Sequence, residues 1–162
     1  MVVKSRADSL PRLDLGYWSL FLGLRVNQLV MERLRAAGFQ NVRESHGYVI
    51  QHLIEKGRSI TELAQRMKVT QQAASKVVAE LARLGVVELA QGTDHRAKSA
   101  TLSPYGWTMV RRGRRYRCVI ERRFIRRVGS QEYEAAKATL AACLDLLGGV
   151  DMVRLRRIPP PQ

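Results

Sequence analysis

Between residues 60 and 84 two short amphipathic segments meet across a three-residue break, and that spacing restricts the fold more than any other feature. In the first, Ile60, Leu63, Ala64 and Met67 recur at i, i+3, i+4 and i+7. In the second, Ala74, Val77, Val78, Leu81 and Leu84 line one side. Each pattern predicts a helix with one apolar stripe. The link Lys68-Val69-Thr70 is too short to let the helices part, so the two stripes must cross and pack on each other. Thr70 is a suitable N-cap for the second helix, and Gly85 ends it. Ser59 and Glu62 have capping-box spacing at the start of the first helix, with Thr61 as an alternative cap.

The flanking segments extend the pattern. VVELA (86–90) and KSATL (98–102) are β-rich, and the stretch between them carries the turn formers Gly92 and Asp94, so a hairpin is expected. Ser103-Pro104 then opens a helix, with Ser as cap and Pro in the first turn, running to about Arg127, a length of ~36 Å. A last helix occupies 130–148, and residues 149–162, ending RLRRIPPPQ, form an extended tail. Upstream, Leu15, Trp18, Leu22, Val26 and Leu29 mark a helix with one buried face, stopped near Gly38. Residues 45–56 form a shorter helix closed by Gly57, and residues 1–10 are expected to be flexible. The fold class is mainly α with a small β-hairpin.

Two short helices followed by a hairpin is the winged helix-turn-helix order, and the charge suits it. Lys and Arg number 28 against 14 acidic residues, a net charge of +14, which draws a polyanion such as nucleic acid. A helix fits edge-on into a major groove, and the outward positions of the second helix begin with Gln71, Gln72, Ser75 and Lys76, after Thr70. Gln bonds adenine bidentately, Ser serves several bases, and Lys reaches guanine or phosphate. At the hairpin tip Arg96 is placed for the minor groove, with Asp94 orienting its guanidinium. His95 either touches the backbone or is solvated, and Lys98 completes the candidate DNA-binding set.

The run ITELAQRMKVTQQAASKVVAELARLGVVELAQGTDHRAKSATLSPYG resembles the core of the multiple-antibiotic-resistance regulator (MarR) family. The matching features are the Leu-Ala pair of the first helix, Val-Thr at the turn and Leu-x-x-Leu-Gly-Val-Val closing the second. Asp-x-Arg in the wing and Leu-Ser-Pro-Tyr-Gly opening the next helix also match. The resemblance implies a homodimer clasped by helices in 11–38 and 104–148. It also implies a DNA-binding lobe at 39–103 and a pseudo-palindromic operator in double-stranded DNA, where the dimer represses or activates transcription. Two positions depart from the family pattern: Lys68 stands where a small residue is common, and Ala97 stands where an acidic residue often follows the wing Arg. Inducers of the family bind between lobe and dimerisation helices, which would make a small aromatic or anionic ligand a further partner. Tyr17, Trp18, Phe21, Tyr48 and Trp107 suit such a cavity, and suit ordinary core equally.

Other classes find little support. Cys118 and Cys143 read as small buried hydrophobes rather than a disulfide framework. His46, His52 and His95 are scattered without metal-ligand spacing, and neither a nucleophile motif nor a phosphate-binding glycine loop appears, so no enzyme, metal or cofactor is expected. LGYWSLFLGL (15–24) is apolar, but Asp8 and Asp14 precede it and no small-residue cleavage site follows; the chain is expected in the cytoplasm, off the membrane. The remaining alternative is a sequence-blind nucleoid-associated or RNA-binding protein, since charge alone gives such affinity. Nine Arg fall between 111 and 127. Met109, Gly113, Tyr116, Ile120 and Phe124 share one face there, with Arg111, Arg115, Arg122 and Arg126 roughly opposite. That basic face is either solvated, its stems shielding apolar surface, or an extension of the phosphate-contacting surface.

Overall fold

The computed structural model describes residues 12–91 and 98–155. Helix α1 (Leu15–Ala36) leads to α2 (His46–Leu53), a two-residue strand β1 (Arg58–Ser59), α3 (Ile60–Met67) and α4 (Gln71–Arg83). Strands β2 (Val87–Gln91) and β3 (Lys98–Leu102) follow, then α5 (Pro104–Val128), α6 (Ser130–Leu146) and α7 (Val150–Arg154). The sheet has the order β1-β3-β2 with both pairings antiparallel. The expected hairpin is therefore two-thirds of a three-stranded sheet. The extra strand pairs Arg58 with Ala100 and Ser59 with Ser99.

Local signals placed the element starts. Ser59 caps α3 as a full capping box: its hydroxyl accepts from the Glu62 N–H at 3.1 Å, and the Ser59 N–H donates to Glu62 Oε2 at 2.8 Å. That decides between Ser59 and Thr61. Hydrogen bonds from the Ser59 N–H and hydroxyl hold the Glu62 carboxyl below its ordinary pKa. Ser103 caps α5, accepting from the Gly106 N–H at 2.9 Å while donating to Gly85 O. Lys68 closes α3 in the left-handed conformation, φ 53 and ψ 43. A residue without a Cβ adopts that conformation freely, whereas an L side chain costs about 1–2 kcal/mol. Lys68 carries that cost at the turn between α3 and α4.

The core lies where α2, α3 and α4 meet the sheet and the near ends of α1 and α5. Leu53, Leu63, Leu81, Val49, Val78 and Val86 are its most deeply buried apolar side chains. Here the structure corrects two readings. The stripe Leu15, Trp18, Leu22 is exposed rather than buried within the chain, at 46%, 40% and 51%, and Val26 and Leu29 are half-buried. Burial on α1 falls instead at Val30, Met31 and Leu34, which reach the core. Cys118 and Cys143 are likewise exposed, because α6 has no buried residue and the far half of α5 packs only on one side. Among the boundaries, α2 stops at Leu53 rather than at 56, and α6 at Leu146. The tail is not extended throughout, since 150–154 are helical as α7, packed on α6 after the reversal at Gly148, φ 67. The expectations for residues 1–10 and for the tail beyond 155 lie outside the described residues.

Gly106 sits in the first turn of α5 against the start of β2, and a Cβ there would collide with the Val86 carbonyl oxygen. Gly106→Ala must therefore push α5 off the sheet, a backbone clash worth about 3 kcal/mol. The expected outcome is a lower denaturant midpoint at unchanged slope; an unchanged midpoint would contradict this packing.

Candidate nucleic-acid interface

Helix α4 is two-sided. Ala74, Val78 and Leu81 are 0%, 1% and 0% exposed, facing α3, α2 and β2. With that edge fixed, the 3.6-residue period turns Gln71, Gln72 and Ser75 outward. These three and Lys76 are all exposed and line one shallow, open recess. The Thr70 hydroxyl accepts from the Ala73 N–H at 3.1 Å, so Thr70 acts here as the N-cap that starts the helix. The partner helix packs as expected, with Leu63 and Ala64 buried and Met67 half-buried.

Of the remaining candidate residues, Lys98 lies at the start of β3, paired with Gln91 of β2. Asp94, His95 and Arg96 fall between the two strands, outside the described residues. The five aromatics suggested for a ligand cavity are divided: Tyr17, Trp18 and Phe21 are exposed on α1, with Tyr17 stacked on Phe21 at 6.3 Å, while Tyr48 and Trp107 are half-buried. Among the described residues no group of His, Cys, Asp and Glu could hold a metal ion. No helix of the described residues is long and apolar enough to cross a membrane.

The sequence did not point to the polar cluster that ties α4 to the start of α2. His46 is fully buried, and its Nδ1 accepts from the Arg43 backbone N–H at 3.1 Å. Its Nε2 lies 3.4 Å from Glu80 Oε2, and the Arg43 guanidinium pairs with the same carboxylate. Glu80 thus anchors the inner side of α4 rather than the reading face. Partial desolvation pushes the Glu80 carboxyl up, but the His46 hydrogen bond and the Arg43 charge outweigh it and hold the pKa below 4.5. A second buried group, Arg58, donates from Nε to His52 O at 2.7 Å and from its guanidinium to Glu55 at 3.0 Å, bracing β1 beneath α2.

A crossed helix pair with an outward polar face, backed by a three-stranded sheet and set between long helices, defines a winged-helix protein. Residues 41–97 match the model of the MarR family. The structure is similar to MepR, a transcription regulator of the Staphylococcus aureus multidrug efflux pump MepA, at 17% identity and a TM-score of 0.67, covering 83% of this chain and 99% of that one. It is also similar to the YusO protein of Bacillus subtilis, at 20% identity and a TM-score of 0.66, covering 81% and 91%. A mutant of S. aureus MepR bound to an oligodeoxyribonucleotide matches at 18% identity and a TM-score of 0.62, covering 84% and 99%. No curated protein sequence matches the chain. The chain thus has the winged-helix fold of these transcription regulators, and its residues 41–97 resemble the MarR family.

The Glu80 anchor has a pH signature. A carboxylate whose folded pKa is depressed adds stability that is present above the unfolded value and lost as pH falls through the folded one. Wild type should therefore exceed Glu80→Gln in stability near neutral pH, and the gap should close as pH drops below 4.5. Urea melts of both proteins between about pH 6 and pH 3 would check this; a gap that persists at the acid end would discount the cluster.

Proposed function

We propose that the chain is a sequence-specific DNA-binding transcriptional regulator acting as a homodimer on a pseudo-palindromic operator. The observation that carries the reading is the exposed face of Gln71, Gln72, Ser75 and Lys76 on a helix whose opposite edge is buried to within 1%. Seated in a major groove, Gln71 and Gln72 have the donor–acceptor pair for an adenine edge, Ser75 adapts to several bases, and Lys76 takes guanine or a phosphate. The α4 N-terminus started by Thr70 adds a partial positive charge toward the backbone. Arg96 enters the adjacent minor groove, oriented by Asp94, with His95 and Lys98 alongside. That a MepR mutant is bound to an oligodeoxyribonucleotide supports the same mode of use here.

The dimer follows from exposed apolar surface. Tyr17, Leu20, Phe21, Leu22 and Leu24 of α1 are each more than half exposed, and α6 has no buried residue within the chain. Apolar area of this extent marks a protein interface. Pairing through α1 and α6 sets two α4 helices on one side of the dimer, spaced for half-sites about one turn or ~10 base pairs apart. Release of DNA by a small aromatic or anionic ligand completes the proposal.

Two experiments test it. Selection of bound genomic fragments should yield a two-half-site operator held ~10³-fold or more above scrambled duplex at equal salt. Gln72→Ala should relax one base position at a cost of ~1–3 kcal/mol, and Arg96→Ala should weaken binding without changing the melting temperature. A specificity ratio near one would replace this reading with the sequence-blind nucleoid-associated or RNA-binding one. Separately, Phe21→Glu with Leu24→Glu should convert the sedimenting species from dimer to monomer while the lobe stays folded. A wild type that sediments as a monomer would remove the dimer.

A further inference from the structure

All nine arginines of α5 are exposed, and the operator reading uses none of them. The helix turns its apolar side inward, with Met109 buried and Gly113, Tyr116, Ile120 and Phe124 half-buried. At 3.6 residues per turn, Arg111, Arg115, Arg122 and Arg126 fall within an arc of about 60° on the opposite side. They form a straight row ~22 Å long. Among the described residues no carboxylate pairs with any of the nine. The one acidic residue of α5, Glu121, is taken up by the Tyr133 hydroxyl at 2.8 Å. Within the row, Arg111 donates to the Thr108 hydroxyl. Arg115, with Arg112, Arg123 and Arg33 of α1, also borders the groove between α1 and α5.

Like charges four positions apart repel along a helix, and the row holds two such pairs, Arg111 with Arg115 and Arg122 with Arg126. A polyanion laid on the row relieves that repulsion, and guanidinium forks meet phosphate oxygens bidentately. The spacing selects among polyanions. The centres of the two pairs lie ~16.5 Å apart along the helix. Each pair can therefore meet one of the two backbones that border a major groove ~12 Å wide. Between the pairs stand Cys118 and Val119, exposed and uncharged, over the space where a duplex has no phosphate.

Other occupants fit less well. A single strand binds by stacking on exposed aromatic rings, and Tyr116 and Phe124 are on the inward side. A-form RNA has a deep, narrow major groove without edges so spaced. A membrane-surface helix needs a free apolar face, whereas α5 spends its own on the chain.

We propose that the outward arginine row of α5 is a second, sequence-blind DNA-binding surface, so that a molecule seated on its operator through α4 also holds another duplex. The proposal rests on the reading of α4 as the operator-binding helix. The two surfaces sit on separate parts of the fold: α4 packs on α2, α3 and β2, and α5 on α1, α6 and β3.

The test is a bridging assay with the full chain, a bead-bound operator duplex selected from genomic fragments, and a fluorescent duplex of unrelated sequence. Wild type should carry the fluorescent duplex to the beads. Changing Arg111, Arg115, Arg122 and Arg126 together to Gln should cut that capture about tenfold or more and lower its salt slope by ~3–4, while operator binding persists. The variant should melt no lower than wild type, because the repulsion along the row is gone. Changing Arg33, Arg35, Arg127 and Arg154 together to Gln removes the same charge elsewhere and should leave capture within about twofold. Equal losses in the two variants would reduce the effect to bulk charge and overturn the proposal. So would a wild type that binds its operator and captures no second duplex. Polyglutamate that displaces the fluorescent duplex as well as unlabelled DNA does would assign the row to an acidic protein instead. A wild type that bridges duplexes without preferring any sequence would sink the reading of α4 alone, so the two failures are distinct.

Discussion

The lobe depends on the burial of one edge of α4. Ala74, Val78 and Leu81 are at most 1% exposed, and fixing three points on one side of a rod fixes the direction of everything on the other. Full burial of a Val or Leu is worth about 1.5–3 kcal/mol each, whereas Gln71, Gln72 and Ser75 touch almost nothing of the chain itself. The two sides are therefore energetically separate. Substitution on the outward side leaves the scaffold intact, and substitution on the inward side tilts the helix and misdirects every outward group together. Glu80 refines the arrangement by holding the inner side of α4 to the start of α2 through His46 and Arg43.

What the sequence made legible were features whose partners lie close along the chain. The Ser59–Glu62 box, the Thr70 cap, the Ser103-Pro104 start and the Gly85 stop each involve groups within four residues, and all stand as expected. The outward face of α4 follows from the same local periodicity. Strand β1 was not legible, because its two residues owe their conformation to β3, some forty positions away. The Glu80–His46 contact joins residues on two helices separated by a turn, a strand and α3, and an isolated Glu on a helix gives no sign of a buried His waiting for it.

The error on α1 has a different physical origin. Periodicity reports that a face is apolar and is silent on what covers it. Leu15, Trp18 and Leu22 share their stripe with Val26 and Leu29, yet burial in the chain's own core falls on Val30, Met31 and Leu34 in the last turns, on a face rotated from that stripe. The exposure of Cys118 and Cys143 has the same cause, since both lie on helix faces left uncovered among the described residues. A chain that carries more apolar helix surface than it can bury either loses solubility or pairs, and the rigid spacing of two lobes would use the second outcome.

The charge of +14 is unevenly spent across the fold. Glu32, Glu55 and Glu80 are each taken up by an arginine nearby, and Glu62 and Glu121 by Ser59 and Tyr133. Among the described residues Arg33, Arg112, Arg115 and Arg123 of the α1–α5 groove have no carboxylate partner. Lysine would serve poorly there: its ammonium is strongly hydrated, whereas a guanidinium is weakly hydrated and lies flat against apolar surface. The two basic surfaces are thus opposites in shape. On α4 a convex rod presents polar groups and one lysine. Between α1 and α5 the arginine-walled surface is instead concave and apolar at its floor.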